Sequence, residues 1–126
     1  MTTSKFSLRS RIGSFKFAFN GLRLLIKNEH NARIHFLAAI VAIGMGLLLK
    51  ISLTEWSILV IVIGLVFLSE LFNTSLETLS DLIDSKNNER IKYAKDYAAA
   101  AVLISATIAI ITGGIIFIPK ITGLFK

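Results

Sequence analysis

Three long apolar runs constrain this chain more than any other feature. The first covers residues 34–53 and is interrupted only by His35 and Lys50 near its ends. The second covers residues 56–79, and the third, residues 98–118, carries no charged side chain. A helix needs roughly 20 predominantly apolar residues to cross the hydrocarbon core of a bilayer. Backbone N–H and C=O groups find no water there, so each spanning segment must satisfy them internally. The runs therefore predict three transmembrane helices and an all-α, integral membrane fold. The second qualifies only if its acidic residues face protein or water.

Composition supports this class. Hydrophobic residues make up 54% of the 126 residues and charged residues 17%, whereas charged residues reach about 25% in ordinary soluble domains. The length allows one domain, so residues 1–126 are read as a single membrane domain. The chain has no cysteine, which excludes disulfides and thiolate metal sites. Its two histidines do not form an HExxH pair, which argues against zinc. The net charge of +6 would suit nucleic acid in a soluble protein. In so apolar a chain it marks a membrane face instead, and no nucleic-acid partner is expected.

Ahead of the spans, residues 15–27 read as an amphipathic helix. Phe15, Phe19, Leu22 and Ile26 share one face, while Lys16, Asn20, Arg23 and Lys27 share the other. An apolar stripe opposite a basic one suits a helix lying in the membrane surface. Topology follows from the same charges. Seven Lys and Arg precede the first span and four lie between the second and third, so eleven of the fourteen fall on one side. The positive-inside rule makes that side the cytoplasm. The chain is thus expected to be a multi-pass protein of the cytoplasmic (inner) membrane, with a short external turn around residues 52–54 and its chemistry facing the cytoplasm.

The second run carries the chemistry. Glu70, Asn73, Glu77 and Asp81 stand at offsets of 0, 3, 7 and 11, which places them on one helical stripe. A charge at the bilayer centre costs at least about 2.5–3.5 kcal/mol on insertion scales, and intramembrane acids are functional by default. One such acid could be structural glue paired with an arginine. Four polar residues in register argue for a site. Two carboxylates about two turns apart can divide tasks, one holding a hard divalent cation and one remaining free as a base.

Two further clusters flank the spans. Asn28-Glu29-His30-Asn31-Ala32-Arg33-Ile34-His35 precedes the first, where Glu29 alone would read as a solvated acid and His35 as a packing or hydrogen-bonding histidine. Lys95-Asp96 precedes the third, and a lysine there can snorkel or act as a point charge for a phosphate. No GxxxxGK[ST] or GxGxxG sequence is present, so a bound nucleotide would be held without a phosphate loop of soluble type.

The pattern Glu70-x-x-Asn73-Thr74-x-x-Glu77-x-x-x-Asp81, followed by Ala94-Lys95-Asp96 and a span containing Ala101-Val102-Leu103-Ile104, resembles the prokaryotic integral membrane diacylglycerol kinase family. Upstream, Phe15-Lys16-x-Ala18-x-x-Gly21-Leu22 and Glu29-x-Asn31-x-Arg33-Ile34-His35 are similar to its branch that includes the undecaprenol kinases. The resemblance implies transfer of the γ-phosphoryl group of ATP to the hydroxyl of a membrane lipid, with magnesium, in a homotrimer whose active sites are shared between subunits. It implies Glu70 as general base and Glu29 and Glu77 as the magnesium carboxylates, which also contact the nucleotide. Phe17, Lys86, Asn88, Lys95 and Asp96 would lie against the nucleotide, and Arg33, Asn73 and Ala99 against the lipid. Phe17 replaces a tyrosine of some members, and Ser10 stands where some have an arginine, with Arg9 and Arg11 beside it.

The rival reading is non-enzymatic: a small cation channel or transporter subunit whose acids line an ion path. That reading leaves Glu29 and Lys95-Asp96 at the cytoplasmic boundary without a role.

Overall fold

A serine cap starts the first helix two turns earlier than the amphipathic pattern requires. Ser7 accepts the N–H of Ser10, and α1 runs Leu8–Asn28. The computed structural model describes residues 7–83 and 87–126, and these residues form four helices and no strand. The others are α2 (His30–Leu48), α3 (Leu53–Leu82) and α4 (Glu89–Gly123). All three of these are long and apolar enough to cross a membrane.

Glu29 separates α1 from α2. Its backbone is extended, at φ −99° and ψ 120°, so the chain changes direction there without a loop. Helix ends leave carbonyls without intrahelical partners. At the end of α1 these are taken by Arg33 from the next helix: its Nε donates to the Ile26 carbonyl at 2.9 Å, and its Nη2 to the Lys27 carbonyl.

The helices do not share the bounds of the apolar runs. The first, placed at residues 34–53, ends as a helix at Leu48. Lys50 adopts a φ of 51°, a left-handed conformation that stops the helix. Ser52 then opens α3 through a capping box: its hydroxyl accepts the Glu55 N–H at 3.2 Å, and Glu55 Oε2 accepts the Ser52 N–H at 2.7 Å. The turn is thus residues 49–52, and Leu53 and Thr54 already belong to α3. Helix α3 continues past residue 79 to Leu82. Helix α4 begins at Glu89 rather than residue 98, because Asn88 accepts the Arg90 N–H at 3.0 Å and caps it. The nine extra residues add about 13 Å at 1.5 Å per residue, and they carry Lys95 and Asp96 on a rigid helix.

Helices α3 and α4 pack most closely, as an antiparallel pair. An ion pair ties each end: Lys95 to Asp81 at 3.1 Å and Lys120 to Glu55 at 3.2 Å. Between them the hydroxyls of Ser69 and Ser105 meet at 2.7 Å in the interface, where small side chains let the backbones approach. A buried cluster of Ile51, Leu59, Ile116 and Phe117 closes the end near the α2–α3 turn. Helix α2 leans on this pair more lightly. Gly46 makes the contact possible, since a Cβ there would stand 2.7 Å from the Trp56 ring. Most of the large apolar side chains face outward, Leu103 at 69% exposure and Ile110 at 77% among them. So much exposed apolar surface is stable only against lipid or a partner.

Candidate functional site

Where α2 faces the middle of α3, one carboxylate is withdrawn from solvent. Glu70 is 2% exposed, the only buried acid among the described residues. Its Oε1 lies 3.2 Å from Nε2 of His35 on α2. The approach is at ion-pair distance without hydrogen-bond alignment, so Oε1 accepts no hydrogen bond. Asn73 Oδ1 and Thr74 Oγ1, within about a turn along the same helix, are also buried and unpartnered. An unsatisfied buried polar atom costs about 1–3 kcal/mol. Three such atoms in five residues of α3 mark a place built to meet something outside the fold.

Two further acids of the sequence reading lie near Glu70. Glu29, at the α1–α2 junction, and Glu77, two turns along α3, both stand within electrostatic reach of Glu70, as does His35. Glu29 makes no capping hydrogen bond to α2. Neither Glu29 nor Glu77 is engaged in an ion pair among the described residues, so both keep free oxygen ligands. No group of three or more His, Cys, Asp or Glu able to hold a metal alone occurs among the described residues. Magnesium suits this shortage, because it takes one or two carboxylates together with phosphate oxygens and water rather than an all-protein cage. The donor set present, two free carboxylates, fits it.

Asn73 also lines a cleft of about 450 Å³ between α3 and α4, with Ser69, Phe72, Ala94, Tyr97 and Ala98. Between α2, α3 and α4, His35 borders a second apolar cleft of about 400 Å³ walled by Ala38, Ala39, Val66, Phe67 and Ala106. His35 and Asn73 therefore border hydrocarbon-lined grooves, which suits a ligand with a polar head and an apolar tail.

The remaining candidates are placed as follows. Lys95 pairs with Asp81, joining the end of the acidic stripe to the third polar cluster. Asp96 is exposed on α4, and the Asn88 side chain caps that helix. Phe17, 78% exposed on α1, and Ala99, exposed on α4, line neither cleft. Arg33 is occupied by the α1 carbonyls. Lys86 lies outside the described residues. The contact that sequence reasoning missed is His35 to Glu70. Its only local signal was the spacing Glu29-x-Asn31-x-Arg33-Ile34-His35, which does not reveal a partner on another helix.

A buried carboxylate among helices long and apolar enough to cross a membrane, with apolar clefts nearby, suits a membrane protein that handles an amphiphile. Comparison with known proteins identifies the group. The sequence model of prokaryotic diacylglycerol kinase matches residues 16–117. The chain is 40% identical over 108 residues to the undecaprenol kinase of Bacillus subtilis, covering 86% of this chain and 88% of that one. It is 35% identical over 112 residues to the diacylglycerol kinase of a Synechocystis species, covering 88% and 64% respectively. It is 31% identical over 96 residues to the diacylglycerol kinase of Escherichia coli, covering 76% and 79%. The chain belongs to the prokaryotic diacylglycerol kinase family and is a lipid kinase, with ATP as phosphate donor. The cation-channel reading is left without support.

Proposed function

We propose that this protein is a magnesium-dependent kinase that moves the γ-phosphoryl group of ATP to the hydroxyl of a membrane lipid, with undecaprenol favoured over diacylglycerol as acceptor. The observation that carries the reading is Glu70, buried and short of hydrogen bonds, with Glu29 and Glu77 beside it. Similarity to the Bacillus subtilis undecaprenol kinase over most of both chains favours the polyprenol.

Phosphoryl transfer needs mainly positioning and charge neutralisation. Glu70 accepts the proton of the lipid hydroxyl as that oxygen attacks the γ-phosphorus, and ADP leaves. Its depth lets it meet the hydroxyl without extracting the lipid from the bilayer. Glu29 and Glu77 would hold magnesium, which when bound offsets negative charge on the ATP phosphates. Lys95 and Asp96, with Phe17, Lys86 and Asn88, contact the nucleotide. Asn73 orients the acceptor beside Glu70, with Ala99 and Arg33 further out at its entry. The positive-side count supports a site on the cytoplasmic face of the inner membrane. A homotrimer would cover part of the exposed apolar surface and complete the site from neighbouring subunits.

Purified protein in detergent, given labelled ATP and magnesium, should label undecaprenol faster than diacylglycerol offered in parallel. A preference for diacylglycerol would reverse the acceptor assignment, and inertness toward both lipids would refute the reading.

A further inference from the structure

We propose that His35 is a positioning residue for Glu70: its Nε2–H holds one carboxylate oxygen, so that the other faces the lipid hydroxyl. The inference rests on the lipid-kinase reading. No neighbour on α3 does this in the structure: Ser69, Ser75 and Thr78 donate to backbone carbonyls of their own helix. The two groups are each other's sole polar side-chain partner among the described residues, at 3.2 Å and from different helices. The carboxylate also needs holding. Glu29 and Glu77 both act on it electrostatically with like charge, from the α1–α2 junction and from two turns further along α3. Without an opposing donor, a free glutamate side chain would turn away from them. His35 is only partly buried and tops the apolar cleft between α2, α3 and α4. That space leaves the imidazole free to turn into alignment. Catalytic hydrogen bonds are often poorly aligned without substrate and tighten when it binds. A neutral imidazole protonated on Nε2 suffices, so no change of charge is required.

The test compares His35→Gln with His35→Met in the purified full-length protein, using magnesium, ATP and undecaprenol. Gln carries an amide nitrogen at nearly the reach of Nε2, and Met has similar length without a donor. The Met variant should lose about 10- to 100-fold in kcat, by analogy with removal of a hydrogen-bond partner that orients a metal ligand. Its KM for ATP, and its ATP affinity by calorimetry, should stay within about twofold of wild type. The Gln variant should recover most of the lost kcat. A Met variant as fast as wild type overturns the proposal. So does equal loss in Gln and Met, or a loss expressed through the KM for ATP, since these describe a packing residue. A wild-type protein inert toward both undecaprenol and diacylglycerol would overturn the lipid-kinase reading and this inference with it, whereas wild type active on either lipid with any of the other results overturns the inference alone.

Discussion

Glu70→Gln separates function from stability in opposite directions. Glu70 is 2% exposed, its Oε1 accepts no hydrogen bond, and two further carboxylates repel it. Set against these costs is one approach from His35 at 3.2 Å. A residue kept for folding would be better served. Gln has nearly the same shape and removes the charge, the repulsion and the demand for a cationic partner. It keeps a carbonyl that also goes short of donors, so the gain falls at the low end of the 1–3 kcal/mol range for an unsatisfied buried group, about 1 kcal/mol. The catalytic cost is larger. A general base contributes roughly 10²- to 10⁴-fold, which is about 2.7–5.4 kcal/mol of barrier. Turnover should therefore fall at least about a hundredfold, with ATP binding retained, while resistance to denaturation in detergent is unchanged or slightly higher. Two assays on one preparation decide it: labelled phosphate transfer to lipid, and unfolding monitored by helical signal. Normal turnover would refute the base assignment. Turnover and stability lost together would show that Glu70 is structural.

Glu77→Gln should raise the magnesium concentration needed for half-maximal rate, with saturating magnesium restoring part of the rate; an unchanged magnesium dependence would remove Glu77 from the metal pair. Arg33→Met removes the donors to the Ile26 and Lys27 carbonyls, so amide exchange should quicken in the last turn of α1 before anywhere in α3. Gly46→Val pushes side-chain atoms into Trp56 and Ile51, and overpacking of this kind costs about 1–3 kcal/mol, read as a lower thermal midpoint without a change in KM for ATP.

Hydropathy is a local property, and for that reason the spans were legible: each is a run of neighbours. Their ends were not. Leu49, Ile51 and Leu53 alternate with Lys50, Ser52 and Thr54, so hydropathy marks a turn nearby without fixing its residues. What stops α2 is the left-handed backbone at Lys50, and what starts α3 is the Ser52–Glu55 capping box. The acidic stripe was legible because helical periodicity fixes which residues share a face. Pairings across helices were beyond such reasoning. His35 meets Glu70 and Lys95 meets Asp81 only once the helices have packed, and no spacing along the chain encodes that. Arg33 makes the same point: by resemblance it pointed to the lipid, while its guanidinium lies on α1 carbonyls.

In the proposed reaction a carboxylate at membrane depth takes the proton of a lipid hydroxyl as that oxygen attacks the γ-phosphorus of ATP drawn from the cytoplasm. The most direct measurement follows labelled γ-phosphate in sealed membrane vesicles supplied with undecaprenol and magnesium. Inside-out vesicles should convert external ATP into labelled lipid phosphate, and right-side-out vesicles should not. Labelling in right-side-out vesicles alone would contradict the orientation, and no labelled lipid in either would contradict the account as a whole.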